Sequence, residues 1–280
     1  MLRTPYGGLG ALFVVCCLLL AGCGKEPSTS AGDAAETTPS APPGNATVRI
    51  AAAADLRFAL EEVAAEFNKT KPDVKVTATY GSSGNLSTQI ANGAPFDVFL
   101  SADRSYAHRL VEQGIAAADS EFVYAIGQLA LWVPSTSTLD LDKLGIKAVV
   151  DPSVRKVAIA NPGHAPYGRA AEAAFRSFGV YDLVRERLVL GENVAQAAQF
   201  AESGAADVGV IPLPLAMAPA MQHKGRHWVV PCEAFPRLDQ TGVVLRSAAD
   251  PDAAKRFCQF LSSQRCREIL ARFGFLSPEE

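Results

Sequence analysis

A chain of 280 residues, of which 49% are hydrophobic, can bury a sizeable core as one large or two ordinary domains. Its net charge of -3, with Lys and Arg scattered rather than gathered into a stripe, leaves no footprint for nucleic acid.

The chain begins with a basic residue, Arg3, an apolar run from Leu9 to Leu20, and then Leu20-Ala21-Gly22-Cys23. About a dozen apolar residues are too few for a membrane span, so residues 1–22 read as a signal peptide. Small residues before Cys23 resemble the processing site of bacterial lipoproteins, where the cysteine becomes the lipidated first residue. The expected product is exported, anchored to a membrane and facing the periplasm or the cell exterior. Residues 23–45, rich in Ser, Thr, Ala, Pro and Gly, cannot bury enough surface to offset their ordering entropy and read as a flexible tether.

Beyond the tether, Val48 to Ala53 reads as a buried strand, and Leu56, Leu60, Val63 and Phe67 recur at helical spacing. Between them stands Ala54-Asp55, with Asp55 expected as the helix N-cap. A second strand (Val74, Val76, Ala78, Tyr80) runs into Gly81-Ser82-Ser83-Gly84-Asn85-Leu86, a strand-to-helix turn with two glycines and two hydroxyls. The unpaired N–H groups of the helix start and its positive dipole end make such a turn a neutral anion cradle. Next, Phe96 to Ser101 reads as a strand entering a helix capped by Asp103 and ending near Gly114.

After the strand Gln128 to Val133, Lys156 to Ala160 opens the turn Asn161-Pro162-Gly163-His164-Ala165-Pro166-Tyr167-Gly168 and a helix stopping at Gly179. Leu188 to Leu190 opens a fourth turn, Gly191-Glu192-Asn193-Val194, and Val194, Ala197, Ala198 and Ala201 line the next helix. Asp207 to Ile211, His227 to Val230 and Gly242 to Arg246 read as further strands. A single terminal helical region carries Phe257, Leu261, Ile269 and Phe273. Strand and helix alternation points to an α/β protein with mostly parallel sheets flanked by helices.

Two lobes are expected, the first made of residues 46–125 and 244–280 and the second of 126–243, because a chain that crosses twice makes a hinge over a cleft. Ligands of open α/β sheets bind outside the carboxyl ends of the strands, where the four turns lie. Helix starts contribute about 0.3–1 kcal/mol each to an anion, and hydrogen bonds to a charged ligand about 1.5–3 kcal/mol each. The ligand that fits is a compact tetrahedral oxyanion held by neutral donors.

Catalytic motifs are absent: no G-x-S-x-G, H-E-x-x-H or Walker loop occurs. His164 is the histidine nearest the expected cleft. Asp97 and Asp103 are expected to make a structural bond and a helix cap rather than a cation site. Cys232, Cys258 and Cys266 read as small buried hydrophobes, since the last two, eight residues apart on one helix, would stand roughly 12 Å apart along its axis.

Several segments together resemble the periplasmic molybdate-binding proteins of ABC transporters: Ala51-Ala52-Ala53-Ala54-Asp55-Leu56, Gly81-Ser82-Ser83-Gly84-Asn85-Leu86, Gly93 to Asp103, Asn161-Pro162 with His164 to Gly168, and Arg272-Phe273-Gly274-Phe275. The resemblance spans about Thr47 to Leu276. It implies the two-lobed type II periplasmic binding protein fold, molybdate and tungstate as ligands, no cofactor, a membrane permease as partner, and a monomer. Carried over by position, Ser83 gives its hydroxyl and N–H to the anion with Ser82 adjacent, Tyr167 and Val194 give backbone N–H groups, and Ala54 with Asp55 lines the first turn. Two departures stand out. Several relatives have a hydroxyl residue in the first turn, where this chain has Ala54 and Asp55, and the Asp55 carboxylate is expected to turn away from a dianion. Pro212 stands where some relatives place a tyrosine, and proline has no N–H to offer. Sulfate or phosphate is the alternative ligand, and a two-lobed enzyme or sensor the more distant one.

Overall fold

The computed structural model describes residues 46–279. The expected signal peptide, the tether and Cys23 lie outside the described residues. β1 (Ala46–Ala53) passes through a 3-10 turn (Ala54–Leu56) into α1 (Arg57–Thr70). β2 (Val74–Gly81) enters α2 (Ser83–Ala91), and β3 (Val98–Ser101) enters α3 (Arg104–Glu112). β4 (Phe122–Gly127) and β5 (Leu129–Pro134) follow, separated only by Gln128, and then α4 (Leu141–Leu144). β6 (Val157–Ala160) opens α5 (Pro166–Ser177), and after α6 (Tyr181–Val184), β7 (Leu188–Gly191) opens α7 (Val194–Glu202). β8 (Val208–Pro212), α8 (Leu213–Ala216), α9 (Pro219–Gln222) and β9 (Gly225–Val229) lead to β10 (Leu238–Val244). α10 (Pro251–Leu261) and α11 (Gln264–Arg272) complete the order.

The strands form two sheets, β2-β1-β3-β10-β4 and β7-β6-β8-β5-β9. In the first, β1 is parallel to β2 and β3, and β10 runs against β3 and β4. In the second, β6 is parallel to β7 and β8, and β5 runs against β8 and β9. Each sheet therefore has a single reversed strand, and that strand is the one on which the chain arrives from the other sheet. This pairing corrects the expected boundary at residue 244. Leu238 to Val243, read as part of the second lobe, hydrogen-bonds between β3 and β4 in the first sheet. Asp239, Gln240 and Thr241 interrupt the apolar pattern there, although Gln240 and Thr241 are fully buried.

The first sheet is covered on both faces because its strands alternate buried residues between two layers. Val48, Ile50 and Ala52 of β1 with Val98 and Leu100 of β3 pack against α1, α10 and α11. Ala51, Phe99 and Val243 face the opposite way, toward Leu86, Ile90, Ala107 and Leu110 of α2 and α3. The C-terminal helices thus return to the first sheet, where Phe67 and Phe257 meet edge to face at 5.2 Å. The expected single terminal helix is two. Ser263 caps α11 by accepting from the Cys266 N–H at 3.2 Å, which ends the apolar periodicity's claim to one helix. Cys258 and Cys266 are buried and free, their thiols pushed up to about 12 by burial. Cys232 is exposed, contrary to expectation, because it sits in a surface 3-10 turn ahead of β10. Among the described residues no helix is long and apolar enough to cross a membrane.

Candidate functional site

The carboxyl ends of β1, β2, β6 and β7 open into turns that line one tight cavity of about 10 Å³. Ala54, Asp55, Ser82, Ser83, Tyr167 and Val194, the candidates singled out from the sequence, all lie on its wall. No lysine, arginine or histidine side chain lines it.

The starts of α2, α5 and α7 each spare a donor, α2 and α7 by a side-chain cap and α5 by a proline. In α7, the Asn193 side chain accepts from the N–H groups of Ala195 at 2.9 Å and Gln196 at 3.2 Å, leaving the Val194 N–H without an acceptor among the described residues. In α5, Pro166 occupies the first position and has no N–H, so Tyr167 presents the first free one. Gly168 permits this geometry, since a Cβ there would lie 2.1 Å from the Ala160 carbonyl oxygen. In α2, Ser82 caps by accepting from the Asn85 N–H at 3.4 Å, and the Ser83 N–H is spared. The Ser83 hydroxyl accepts from the Ala102 N–H at 3.0 Å, which fixes its oxygen and leaves its own proton to donate. Ser82 is different: its hydroxyl is engaged by the cap and by His164 Nδ1 at 2.9 Å.

The cleft is closed by contacts between turns of the two sheets. The Gly84 N–H donates to the His164 carbonyl at 2.9 Å, and a Cβ on Gly84 would stand 2.7 Å from that oxygen. Asn85 donates to Glu192, and His164 Nε2 lies 3.7 Å from the same carboxylate. Farther out, Arg169 pairs with Asp103 at 2.6 Å and donates to the Tyr106 hydroxyl at 2.9 Å. Gly84 is legible in the Gly-Ser-Ser-Gly run. The sequence places His164 near the cleft by its turn, but the pairings of His164, Glu192 and Arg169 have no sequence signal, since each contact joins residues about 66–107 positions apart.

Asp55 departs from the expected cap. The 3-10 turn has no side-chain cap at all, and the Asp55 side chain is buried with neither oxygen in hydrogen-bond geometry. Burial pushes its pKa up to about 7. The Tyr167 hydroxyl, the backbone N–H groups of Asp55 and Leu56, and the Gln240 amide lie near enough to oppose burial in part, but none reaches hydrogen-bond geometry with the carboxylate. The sequence identifies the residue as an oddity but not its direction, because an aspartate before a helix is ordinarily its cap.

Asp97 and Asp103 take the structural roles expected. Asp97 accepts from Arg49 side-chain and backbone groups and from the Ala249 N–H. Burial works to raise its pKa, but these bonds hold it below the ordinary carboxylate range. Asp103 accepts from the Ser105 N–H at 2.8 Å and caps α3. Among the described residues no group of three potential cation ligands occurs. Pro212 ends β8 and does not line the cavity.

The sequence profile of bacterial extracellular solute-binding proteins matches residues 48–276. The chain belongs to that family. Its members bind and hand over solutes, so the protein is a transport receptor rather than an enzyme. The chain is 37% identical over 227 residues to the molybdate-binding protein ModA of Rhodobacter capsulatus, covering 81% of this chain and 87% of the relative. It is 32% identical over 230 residues to ModA of Azotobacter vinelandii, covering 82% and 90%. The solved periplasmic molybdate-binding protein of Azotobacter vinelandii superposes with a TM-score of 0.77 at 33% identity, over 82% of this chain and 99% of that one. The two sheets with their flanking helices are the two-lobed type II binding protein fold.

Proposed function

We propose that this solute-binding protein is a receptor that closes on molybdate, and also on tungstate, and delivers it to the permease of an ABC transporter. The observation that carries the reading is the convergence of spared N–H groups from Ser83, Tyr167 and Val194, with the Ser83 hydroxyl, on a cavity free of cationic side chains. Neutral donors suit a dianion that must later be released. Each charge-assisted bond contributes about 1.5–3 kcal/mol, so a handful reaches micromolar affinity, about -8 kcal/mol, after dehydration of the anion. Its similarity to molybdate-binding relatives supports the choice of anion. Closure of the two lobes is the signal for a permease. The lipid on Cys23 tethers a monomer at the membrane, facing the periplasm or the cell exterior, and no resident cofactor is required.

Titration calorimetry with molybdate, tungstate, sulfate and phosphate tests this directly. One-to-one binding of the two larger anions with sulfate and phosphate rejected is the expected result. A preference for sulfate or phosphate would instead make the protein a receptor for a smaller oxyanion, and failure of all four would end the oxyanion reading.

A further inference from the structure

The floor of the cavity holds a feature that an anion site has no evident use for. Asp55 is 1% exposed, lines the same wall as Ser83, Tyr167 and Val194, and has no hydrogen-bond partner for either carboxylate oxygen. Nearby buried groups are also incomplete. Gln240 donates to the Tyr167 hydroxyl at 3.4 Å but its own carbonyl oxygen is unpaired, and the Tyr124 hydroxyl, within electrostatic reach of Asp55, has no partner either. An ionised carboxylate offers only acceptors and would face the like charge of a dianion. Such a group survives burial by becoming neutral.

No cation relieves it. Facing Asp55 are Tyr167 from α5, Tyr124 from β4 and the uncharged Gln240 from β10, and no Lys, Arg or His acts on it. The helices α7 and α8 turn apolar residues inward, and Arg57 at the start of α1 stacks over Phe58. His164 stands on the rim, engaged with Ser82 and Glu192.

We propose that the receptor takes up its oxyanion together with one proton, and that the proton resides on the Asp55 carboxyl. The proton comes from solvent, forms an O–H bond on one carboxyl oxygen, and returns to solvent when the anion leaves. Protonation removes the like charge and turns an acceptor-only group into a donor, which the anion can use. A dianion beside the carboxyl further disfavours its charged form, so binding and protonation promote each other. Burial already holds the free carboxyl near neutrality, with a pKa of about 7, so the uptake falls in the neutral to mildly alkaline range. This inference rests on the oxyanion reading of the site.

The test titrates molybdate into the full-length protein in mild detergent at pH 8, in Hepes and in Tris, whose different ionisation heats report protons exchanged. Dissociation constants are also measured from pH 6 to 9. More than half a proton taken up per anion, with affinity falling several-fold per pH unit above 7, is the expected result. Asp55→Asn should bind with buffer-independent heat and a flat profile, and His164→Gln should keep the wild-type uptake. Molybdate bound with no proton uptake and no pH dependence overturns the proposal while leaving the receptor reading intact. Uptake that persists in Asp55→Asn, or vanishes in His164→Gln, overturns the assignment to Asp55. Absence of any molybdate binding overturns the oxyanion reading, and this inference with it. Should Asp55→Asn fail to fold, the wild-type buffer pair and His164→Gln still decide.

Discussion

On the side of the cleft carried by the first sheet, side chains reach the cavity: the Ser83 hydroxyl, the engaged Ser82 hydroxyl and the Asp55 carboxyl. On the side carried by the second sheet, Tyr167 and Val194 bring backbone N–H groups, while the Tyr167 ring is buried beneath the site, close to Gly127 and Gln240. The difference separates what substitution can reach. On the first face a side chain can be removed. On the second the information lies in the Asn193 cap, in Pro166 at the first position of α5, and in the glycines that let backbone approach backbone.

The largest effect should come from preventing the two faces from meeting. Gly84→Val places a branched side chain where even a Cβ would stand 2.7 Å from the His164 carbonyl oxygen. Molybdate affinity should fall about 100-fold or more, since the closed state becomes inaccessible, and scattering should report an open form with anion present. Ser83→Ala, which deletes the hydroxyl of the first face, should weaken molybdate about 10-fold to 100-fold by calorimetry, the cost of one charge-assisted bond. Retained affinity would remove Ser83 from the site.

Asp55 gives a stability effect of definite sign. Its carboxyl is pushed up to about 7 in the fold from an ordinary value of 3.8. The folded protein therefore binds more protons between those values. The contribution is fully present below about pH 4, is lost as pH rises to about 7, and stays lost above. At about 1.4 kcal/mol per pH unit the loss amounts to at most about 4 kcal/mol. Without anion, Asp55→Asn should accordingly melt several degrees above the wild type at pH 8, and the gap should close toward pH 4. The smallest effect belongs to the rim, where the exposed Glu192 meets Asn85 and His164. Glu192→Ala should change affinity less than about fivefold, and less still at high salt.

Much of this arrangement was legible in the sequence because helix starts are written locally. Asn193, Ser82 and Asp103 mark their helices by side-chain type, and the apolar periods of α1, α5 and α7 give both their lengths and their buried faces. The polar opening of β10 was not legible, because Asp239-Gln240-Thr241 is buried by neighbouring strands rather than by its own composition. Nor was the state of Asp55. An aspartate ahead of a helix is ordinarily a cap, and only the closeness of Tyr124, Tyr167 and Gln240, remote in sequence, turns it into an unpartnered carboxyl.

The central claim is that neutral backbone donors hold the anion, and the most direct test lies at Val194. It is the first residue of α7 and follows Asn193 in an extended conformation, φ -149° and ψ 178°, so proline fits both the helix and the residue before it. Val194→Pro removes one N–H and little else, and Val194→Ala trims the side chain while keeping that N–H. In paired calorimetric titrations with molybdate, proline should weaken binding about 10-fold or more, while alanine should stay within about threefold of wild type. Equal affinities for the two variants would mean that the Val194 N–H does not hold the anion.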